Sequence, residues 1–364
     1  MHSLSTPASP LIALPAEKLA SLRTISLHHL ENGSIKENLS LLQTCVEDGF
    51  FYLDLTHPDH VTILDCVRDI FDMSEGLFRY PDEVKNLFDV DKVSRLKLNG
   101  YKPKGRNITS KDGRGDGFES WALSRNGLLQ LSGEAFPHPP LVAAHQDQLR
   151  TLIRFLNRAT HTIMSSLSTS LLIPDGQRFE EFQGLDRPSP DLLRLLKYHA
   201  NTSPVGVPQT PHTDMGSLTF VFSDVPGLQV LPVSMSQKPA ECNESDWLYV
   251  VPKPGHAIVN VGDCLTMMSN GLLKSALHRV GPVAGCAMPE RYSMAYLARP
   301  EDHAVLRGAA SPLLPRIVSE EGMDETPVTS GAWIEQKFKA LRGKDVVNKA
   351  GFDQVITGGR GVLV

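Results

Sequence analysis

Pro211-His212-Thr213-Asp214-Met215-Gly216-Ser217-Leu218-Thr219-Phe220-Val221-Phe222 decides how this chain is read. Residues 218–222 are aliphatic, β-branched and aromatic, the composition of a strand. Pro211 and Gly216 punctuate the chain on either side of the short polar motif. Side chains at i and i+2 of a strand leave the same face. The spacing therefore predicts that His212 and Asp214 reach one metal ion while Thr213 turns away. A second strand-rich stretch starts at Ala257-Ile258-Val259-Asn260-Val261-Gly262-Asp263. Past Ser269-Asn270-Gly271 it reaches Ser275-Ala276-Leu277-His278-Arg279-Val280. The Asn-Gly pair predicts a hairpin turn, and His278 supplies a third ligand. Two imidazoles and one carboxylate are the set that holds Fe(II) with neighbouring coordination positions open. An open position makes a metal site a reactor, here one for dioxygen.

The same sequence contains a control. His145-Gln146-Asp147 repeats the His-x-Asp pattern, but Leu149, Leu152, Ile153 and Leu156 give that segment helical periodicity. Residues two apart on a helix are about 200° apart around its axis. That pair cannot converge on an ion and reads as a solvated helix face.

Composition bounds the function classes. The chain has 364 residues, 41% hydrophobic and 21% charged, with a net charge of −5. This is ordinary for a globular unit with a sizeable core and calls for neither nucleic acid nor an anionic membrane as partner. The short basic run Lys102, Lys104 and Arg106, followed by Lys111 and Arg114, reads as a solvated loop. Cys45, Cys66, Cys242, Cys264 and Cys286 are scattered without CxxC spacing, which fits free thiols in a reducing compartment. No apolar run reaches the roughly 18 residues of a membrane span, and no cationic start leads into an apolar stretch. A cytoplasmic location is expected.

Along the chain, the Ser- and Pro-rich first dozen residues read as an arm, and 24–27 as a short strand. Ser34 is placed to cap a helix with the stripe Ile35, Leu39, Leu42 and Val46, which Gly49 ends. Residues 50–55 read as a buried strand. A helix carrying Val61, Leu64, Val67 and Ile70 follows, interrupted near Pro81. Loops marked by glycine occupy about 94–120, with 118–121 as a strand. The longest helical candidate is 140–172, strands dominate 192–298, and a last helix lies around 333–341. Helices first and strands later suit an α+β, mainly β architecture: a distorted sandwich of the jelly-roll kind with flanking helices, whose mouth is a natural cavity.

On these motifs the chain resembles the Fe(II)/2-oxoglutarate-dependent dioxygenases of the isopenicillin N synthase-like group. The resemblance runs from about 20 to 300. It is carried by Glu47-Asp48-Gly49-Phe50-Phe51, Gly100-Tyr101, the His212 motif, Gly227-Leu228-Gln229-Val230, Val259-Asn260-Val261-Gly262-Asp263, Ser269-Asn270-Gly271, the His278 motif and Arg291-Tyr292-Ser293. It implies a double-stranded β-helix (cupin-like jelly roll) with His212, Asp214 and His278 as iron ligands. It implies that Arg291 and Ser293 hold the distal carboxylate of 2-oxoglutarate, with the Tyr198 hydroxyl near the co-substrate. A guanidinium fork suits a carboxylate, and 291 and 293 share a strand face. Fe(II), 2-oxoglutarate and O2 are the implied cofactors, with ascorbate as a reductant.

The implied division is a single globular unit over 1–364: an N-terminal dioxygenase region at 20–140, a helical linker region at 141–190, the jelly-roll core at 191–300 and a C-terminal helical tail at 301–364. The implied function is oxidation of an unactivated C–H bond in a small specialised metabolite, by hydroxylation, desaturation or ring formation, with 2-oxoglutarate converted to succinate and CO2. Two other readings stay open: an iron oxidase using O2 without 2-oxoglutarate, and a non-catalytic metal-binding jelly roll. Oligomeric state is not legible. His199 and His256 read as core or surface histidines, Asp263 as a turn cap, Asn270 as a turn former. Glu119 and Trp121 read as core or loop residues at least as readily as pocket lining.

Overall fold

The computed structural model describes residues 14–94, 96–107, 115–131, 133, 135–200, 209–236, 243–282, 288–316 and 328–341. The N-terminal arm, Lys111 and Arg114 of the basic run, Cys242 and Cys286, and residues 283–287 of the loop between His278 and Arg291 lie outside them.

Twelve strands among the described residues form two sheets. They are β1 (Thr24–Ser26), β2 (Phe50–Asp54), β3 (Gly100–Lys102), β4 (Phe118–Ser124), β5 (Leu192–Tyr198), β6 (Gln209–His212), β7 (Leu218–Ser223), β8 (Leu228–Val230), β9 (Leu248–Tyr249), β10 (His256–Val261), β11 (His278–Val280) and β12 (Arg291–Ala298). The large sheet runs β1-β2-β10-β7-β12-β5-β4-β3 and the small one β6-β11-β8-β9. Apart from the parallel β1–β2 pair, every named pairing is antiparallel. This is a jelly-roll core with helices on one side, the α+β architecture read from the sequence.

Strand parity sorts the residues. On β12, Met294, Tyr296 and Ala298 join the main core, where the large sheet packs on the helices Gln146–Ser170 and Thr62–Phe78. The other face of β12 carries Arg291, Ser293, Ala295 and Leu297 toward the small sheet, where smaller clusters hold Phe118, Tyr198 and Val280, or Phe50, Leu228 and Ile258. The space between the sheets therefore receives polar side chains at one end and apolar packing elsewhere.

The helix Ile35–Glu47 starts as expected, with the Ser34 hydroxyl accepting from the Glu37 N–H at 3.3 Å. Its buried face differs. Leu41, Thr44 and Cys45 are buried, whereas Ile35 is 77% and Leu39 58% exposed. The packed face is turned by about one residue, roughly 100°, from the expected stripe, because the helix nestles against both Gln146–Ser170 and β1–β2. Gly49 ends it with φ +68°, and a Cβ there would lie 2.1 Å from the Lys274 carbonyl oxygen. Only glycine fits both the left-handed turn and that close approach.

The Asn-Gly hairpin is not formed. Residues Asp263–Met268 are helical, and Asn270 (φ +52°) and Gly271 (φ +76°) make the left-handed exit from that helix. The same conformational freedom that favours a tight hairpin also favours a helix end. β10 and β11 then fall in different sheets, so the segment crosses the sandwich instead of folding back on itself. His145, the control, lies between two helices with Nδ1 2.9 Å from the Leu141 carbonyl oxygen, and Asp147 is in the first turn of the next helix.

Candidate active site

His212 is the last residue of β6, and its cross-strand partner on β11 is His278. The third group lies just past the strand. Asp214 belongs to the crossover from β6 in the small sheet to β7 in the large one, so the i and i+2 relation is realised at the strand's end rather than within it. His212 Nε2 is 3.9 Å and His278 Nε2 3.8 Å from Asp214 Oδ1, and the two rings are tilted by 54° with centroids 4.3 Å apart. The three potential donor atoms all lie within 4.8 Å of one another.

A web of backbone hydrogen bonds holds this crossover. The Asp263 N–H donates to the Asp214 carbonyl at 2.8 Å, the Gly262 N–H to Ser217 at 2.8 Å and the Ser217 N–H to Ala298 at 2.9 Å. Asn260 Nδ2 donates to Asp214 Oδ2 at 2.9 Å. The Thr213 hydroxyl donates to Asp263 Oδ2 at 3.0 Å, and that carboxylate also accepts from Lys337 Nζ at 2.5 Å. Asp263 thus begins a helix and also ties the metal motif to the C-terminal helix Ser330–Leu341. Burial alone would push the Asp214 carboxyl up; the adjacent His278 and His212 and the hydrogen bonds from Thr219 and Asn260 outweigh it and keep it well below the usual carboxylate range. His278 Nδ1 sits 3.2 Å from the Ala276 carbonyl oxygen, so Nδ1 carries the proton and Nε2 keeps its lone pair. An anionic oxygen and two imidazoles, held together by their neighbours, fit a divalent transition metal.

Gly262 is part of this scaffold. A Cβ there would lie 2.2 Å from the Gly216 carbonyl oxygen and 3.1 Å from that of Asp214. Gly262→Ala should cost about 1–3 kcal/mol of stability through overpacking. Chemical denaturation with and without Fe(II) would check it, and an unchanged midpoint would count against the contact.

Arg291 and Ser293 share the inward face of β12. The buried guanidinium donates from Nε to the Val225 carbonyl at 3.0 Å and from Nη1 to Ser293 Oγ at 3.2 Å. It lies over the Tyr198 ring, 5.1 Å from its centroid. Gly227 makes room: a Cβ there would stand 3.1 Å from Arg291 Cδ. The Tyr198 hydroxyl donates to Gln209 Oε1 at 2.6 Å, and Gln209 Nε2 is 3.2 Å from His212 Nε2. One glutamine therefore links the tyrosine to the metal motif. The sequence reading assigned no role to Gln209, Thr219 or Asn260. Strand parity is the signal that would have found Asn260, which faces inward from β10 in register with Thr219.

His28, His57 and Asp59 form the other such group among the described residues. The two rings stack nearly parallel, 15° apart with centroids at 3.5 Å, and the Asp59 side chain is 67% exposed. In-plane lone pairs on parallel rings run side by side and do not converge, which separates this surface stack from the tilted pair at His212 and His278. His199 stands 3.1 Å from Glu119 and His256 3.8 Å from Asp54, neither with the metal motif. Glu119 and Trp121 face the helices, away from the inter-sheet space.

The basic run departs from its expected solvated loop. Lys102 is buried in β3, 2.6 Å from Asp116 and 3.9 Å above the Phe118 ring, while Arg106 pairs with Asp89 at 2.7 Å. Burying a lysine is tolerable because a carboxylate and two carbonyls receive its protons.

Comparison with known proteins agrees with this geometry. The family model of the 2OG-Fe(II) oxygenase superfamily matches residues 190–300. The 2-oxoglutarate-dependent dioxygenase gloE of Glarea lozoyensis is 31% identical over 93% of this chain and 92% of its own length. The 2-oxoglutarate-dependent dioxygenase frbH of Dothideomycetidae sp. is 30% identical over 93% and 96%. Among solved structures, a full-length Neurospora crassa protein in complex with alpha-KG has the same fold, with a TM-score of 0.69 at 23% identity over 90% of this chain and 98% of that one. These relatives favour the 2-oxoglutarate-dependent reading over the iron oxidase and the non-catalytic binder. With His212, Asp214 and His278 gathered between the two sheets of a jelly roll and Arg291 on the inward face of the large sheet, the chain belongs to the 2OG-Fe(II) oxygenase superfamily.

Proposed function

We propose that this oxidoreductase oxidises an unactivated C–H bond of a small specialised metabolite, with His212, Asp214 and His278 holding Fe(II). Arg291 and Ser293 receive the distal carboxylate of 2-oxoglutarate, and Tyr198 shapes that pocket from below the guanidinium. The observation that carries the reading is the cross-strand pairing of His278 with His212 beside Asp214, on the side of the sandwich that Arg291 also faces. Bound together, Fe(II), 2-oxoglutarate and O2 supply an oxidant for C–H hydroxylation, desaturation or ring formation, with succinate and CO2 as co-products. The protein's own work is positioning. Asn260 and Thr219 hold the Asp214 carboxylate, and the Ala276 carbonyl fixes the His278 tautomer.

Residues 191–300 are the catalytic core in this reading, supported by 20–140 and 141–190 and followed by the tail 301–364, whose helix Ser330–Leu341 reaches the metal motif. The partner is a small molecule and not nucleic acid or a bilayer: the net charge is −5, and no described helix is long and apolar enough to cross a membrane. A cytoplasmic setting and ascorbate as reductant go with this reading.

Succinate formation from 2-oxoglutarate on addition of Fe(II) tests it, with O2 uptake measured with and without 2-oxoglutarate. Oxygen uptake indifferent to 2-oxoglutarate would return the iron oxidase. A second expected result concerns the co-substrate. Charge-assisted hydrogen bonds contribute about 1.5–3 kcal/mol. Arg291→Gln should therefore raise the KM for 2-oxoglutarate roughly 10- to 100-fold. An unchanged KM would remove Arg291 from the pocket.

A further inference from the structure

Resting on that reading, we propose that Lys337 couples the C-terminal helix Ser330–Leu341 to the metal: the docked helix raises the affinity for Fe(II), and bound Fe(II) in turn secures the helix. Lys337 is a positioning residue and acts through others. The path runs from its ammonium through the Asp263 carboxylate and the Thr213 hydroxyl to His212 and Asp214, which flank Thr213 in the chain.

Ile334 and Lys337 share the inward face of the helix, three residues apart, and each is only 1% exposed. A buried ammonium needs a counter-charge. Lys337 Nζ meets Asp263 Oδ2 at 2.5 Å and stands 5.2 Å from the centroid of the Trp333 ring, one turn back. A buried ion pair adds little net stability over apolar packing of the same volume, so the consequence of this one lies in what it orients. The same Oδ2 accepts from the Thr213 hydroxyl at 3.0 Å, and the Asp263 N–H donates to the Asp214 carbonyl at 2.8 Å. Asp263 therefore braces the ligand-bearing crossover at two points, and Lys337 holds the carboxylate arm of that brace. The start of the helix is fixed separately. The Ser330 N–H donates to the Ala304 carbonyl at 2.8 Å and its hydroxyl to the Pro300 carbonyl at 3.1 Å. Ser330 and Lys337 are about two turns apart, so the helix is a strut from the segment just past β12 to the metal motif. Without Lys337, the largely buried Asp263 carboxylate loses its cation. It then turns toward water, and the crossover loses one arm of its brace. Coupling of this kind is reciprocal: what the helix lends to metal binding, the metal returns to the helix.

The full chain, kept anaerobic, would be titrated with Fe(II) against a chelating dye. Amide hydrogen exchange in 330–341 would be followed with and without Fe(II). Fe(II) should slow that exchange in the unaltered protein. Lys337→Met should raise the Fe(II) dissociation constant roughly tenfold or more, as loss of a group that orients metal ligands does. Its 2-oxoglutarate turnover should return close to normal once Fe(II) saturates. Thr213→Val cuts the same path away from the helix. It should also weaken Fe(II) binding, and Fe(II) should no longer slow exchange in 330–341, although Lys337 and Asp263 are intact. An unchanged dissociation constant in Lys337→Met, or turnover that saturating Fe(II) does not restore, overturns the proposal. Exchange in the unaltered helix that is indifferent to Fe(II) overturns it too. Should Lys337→Met fail to fold, the exchange measured in Thr213→Val decides. Fe(II) bound as tightly by Asp214→Ala as by the unaltered chain would instead overturn the ligand assignment on which the proposal rests.

Discussion

Asp214→Ala should lower 2-oxoglutarate turnover by at least about 100-fold, and Asn260→Ala by roughly 10- to 100-fold. The order follows from what each residue does. Asp214 contributes the only carboxylate among the three convergent groups, and without it two neutral imidazoles face the metal alone. Asn260 only orients that carboxylate, through one hydrogen bond at 2.9 Å. Groups that hold metal ligands in place typically change affinity or activity 10- to 100-fold, so loss of the ligand itself belongs at or beyond the upper end. His212→Ala belongs with Asp214→Ala. The two classes also separate by readout. Excess Fe(II) should restore much of the Asn260→Ala activity, because its defect is in affinity, and should restore little in Asp214→Ala. The assays are succinate production across an Fe(II) titration and metal content after dialysis. Full turnover in Asp214→Ala would sink the ligand assignment.

Much of the site was legible because its residues obey a local rule. His212 with Asp214, and Arg291 with Ser293, are each two apart, and strand parity puts such pairs on one face before any long-range contact is known. The facing of His278 toward His212 was less legible, since it depends on which sheet β11 joins. The Asn-Gly reading shows the limit: a left-handed pair ends a helix as readily as it turns a hairpin, and only the fold decides. The basic run shows another. Lys102 looks solvated in its own segment, but Phe118 on the neighbouring strand and Asp116 just before it arrive to receive it. The helix Ile35–Glu47 began where its cap predicted yet turned its packed face by about one residue, because one of its packing partners, Gln146–Ser170, is distant in sequence.

Glu119→Ala should destabilise the fold by about 3–5 kcal/mol at neutral pH, as removing one partner of a buried ion pair does. Glu119 is 3% exposed on the helix-facing side of β4. Its Oε2 accepts from Lys85 Nζ and from the Tyr101 hydroxyl, each at 2.7 Å, and His199 Nε2 is 3.1 Å from Oε1. Burial alone would raise its pKa; the nearby His199 imidazole and the hydrogen bonds from Lys85 and Tyr101 outweigh burial and bring it to about 2, against an ordinary 4.5. Removing the carboxylate strands Lys85, itself buried, with only the exposed Asp82 as a charged partner among the described residues. The sign of the pH dependence follows. The unfolded chain binds the proton at the ordinary value and the folded one only near 2. The contribution is therefore complete above about pH 4.5 and is lost as pH falls toward 2. The span corresponds to roughly 3 kcal/mol, comparable with the loss expected for the variant. Urea denaturation of both proteins between pH 7 and pH 3 would measure the difference in stability at each point. That difference should be constant from pH 7 to about 5 and shrink below it. A gap that stays constant down to pH 3 would show that the loss comes from a cavity and not from the charge, because an empty volume does not titrate.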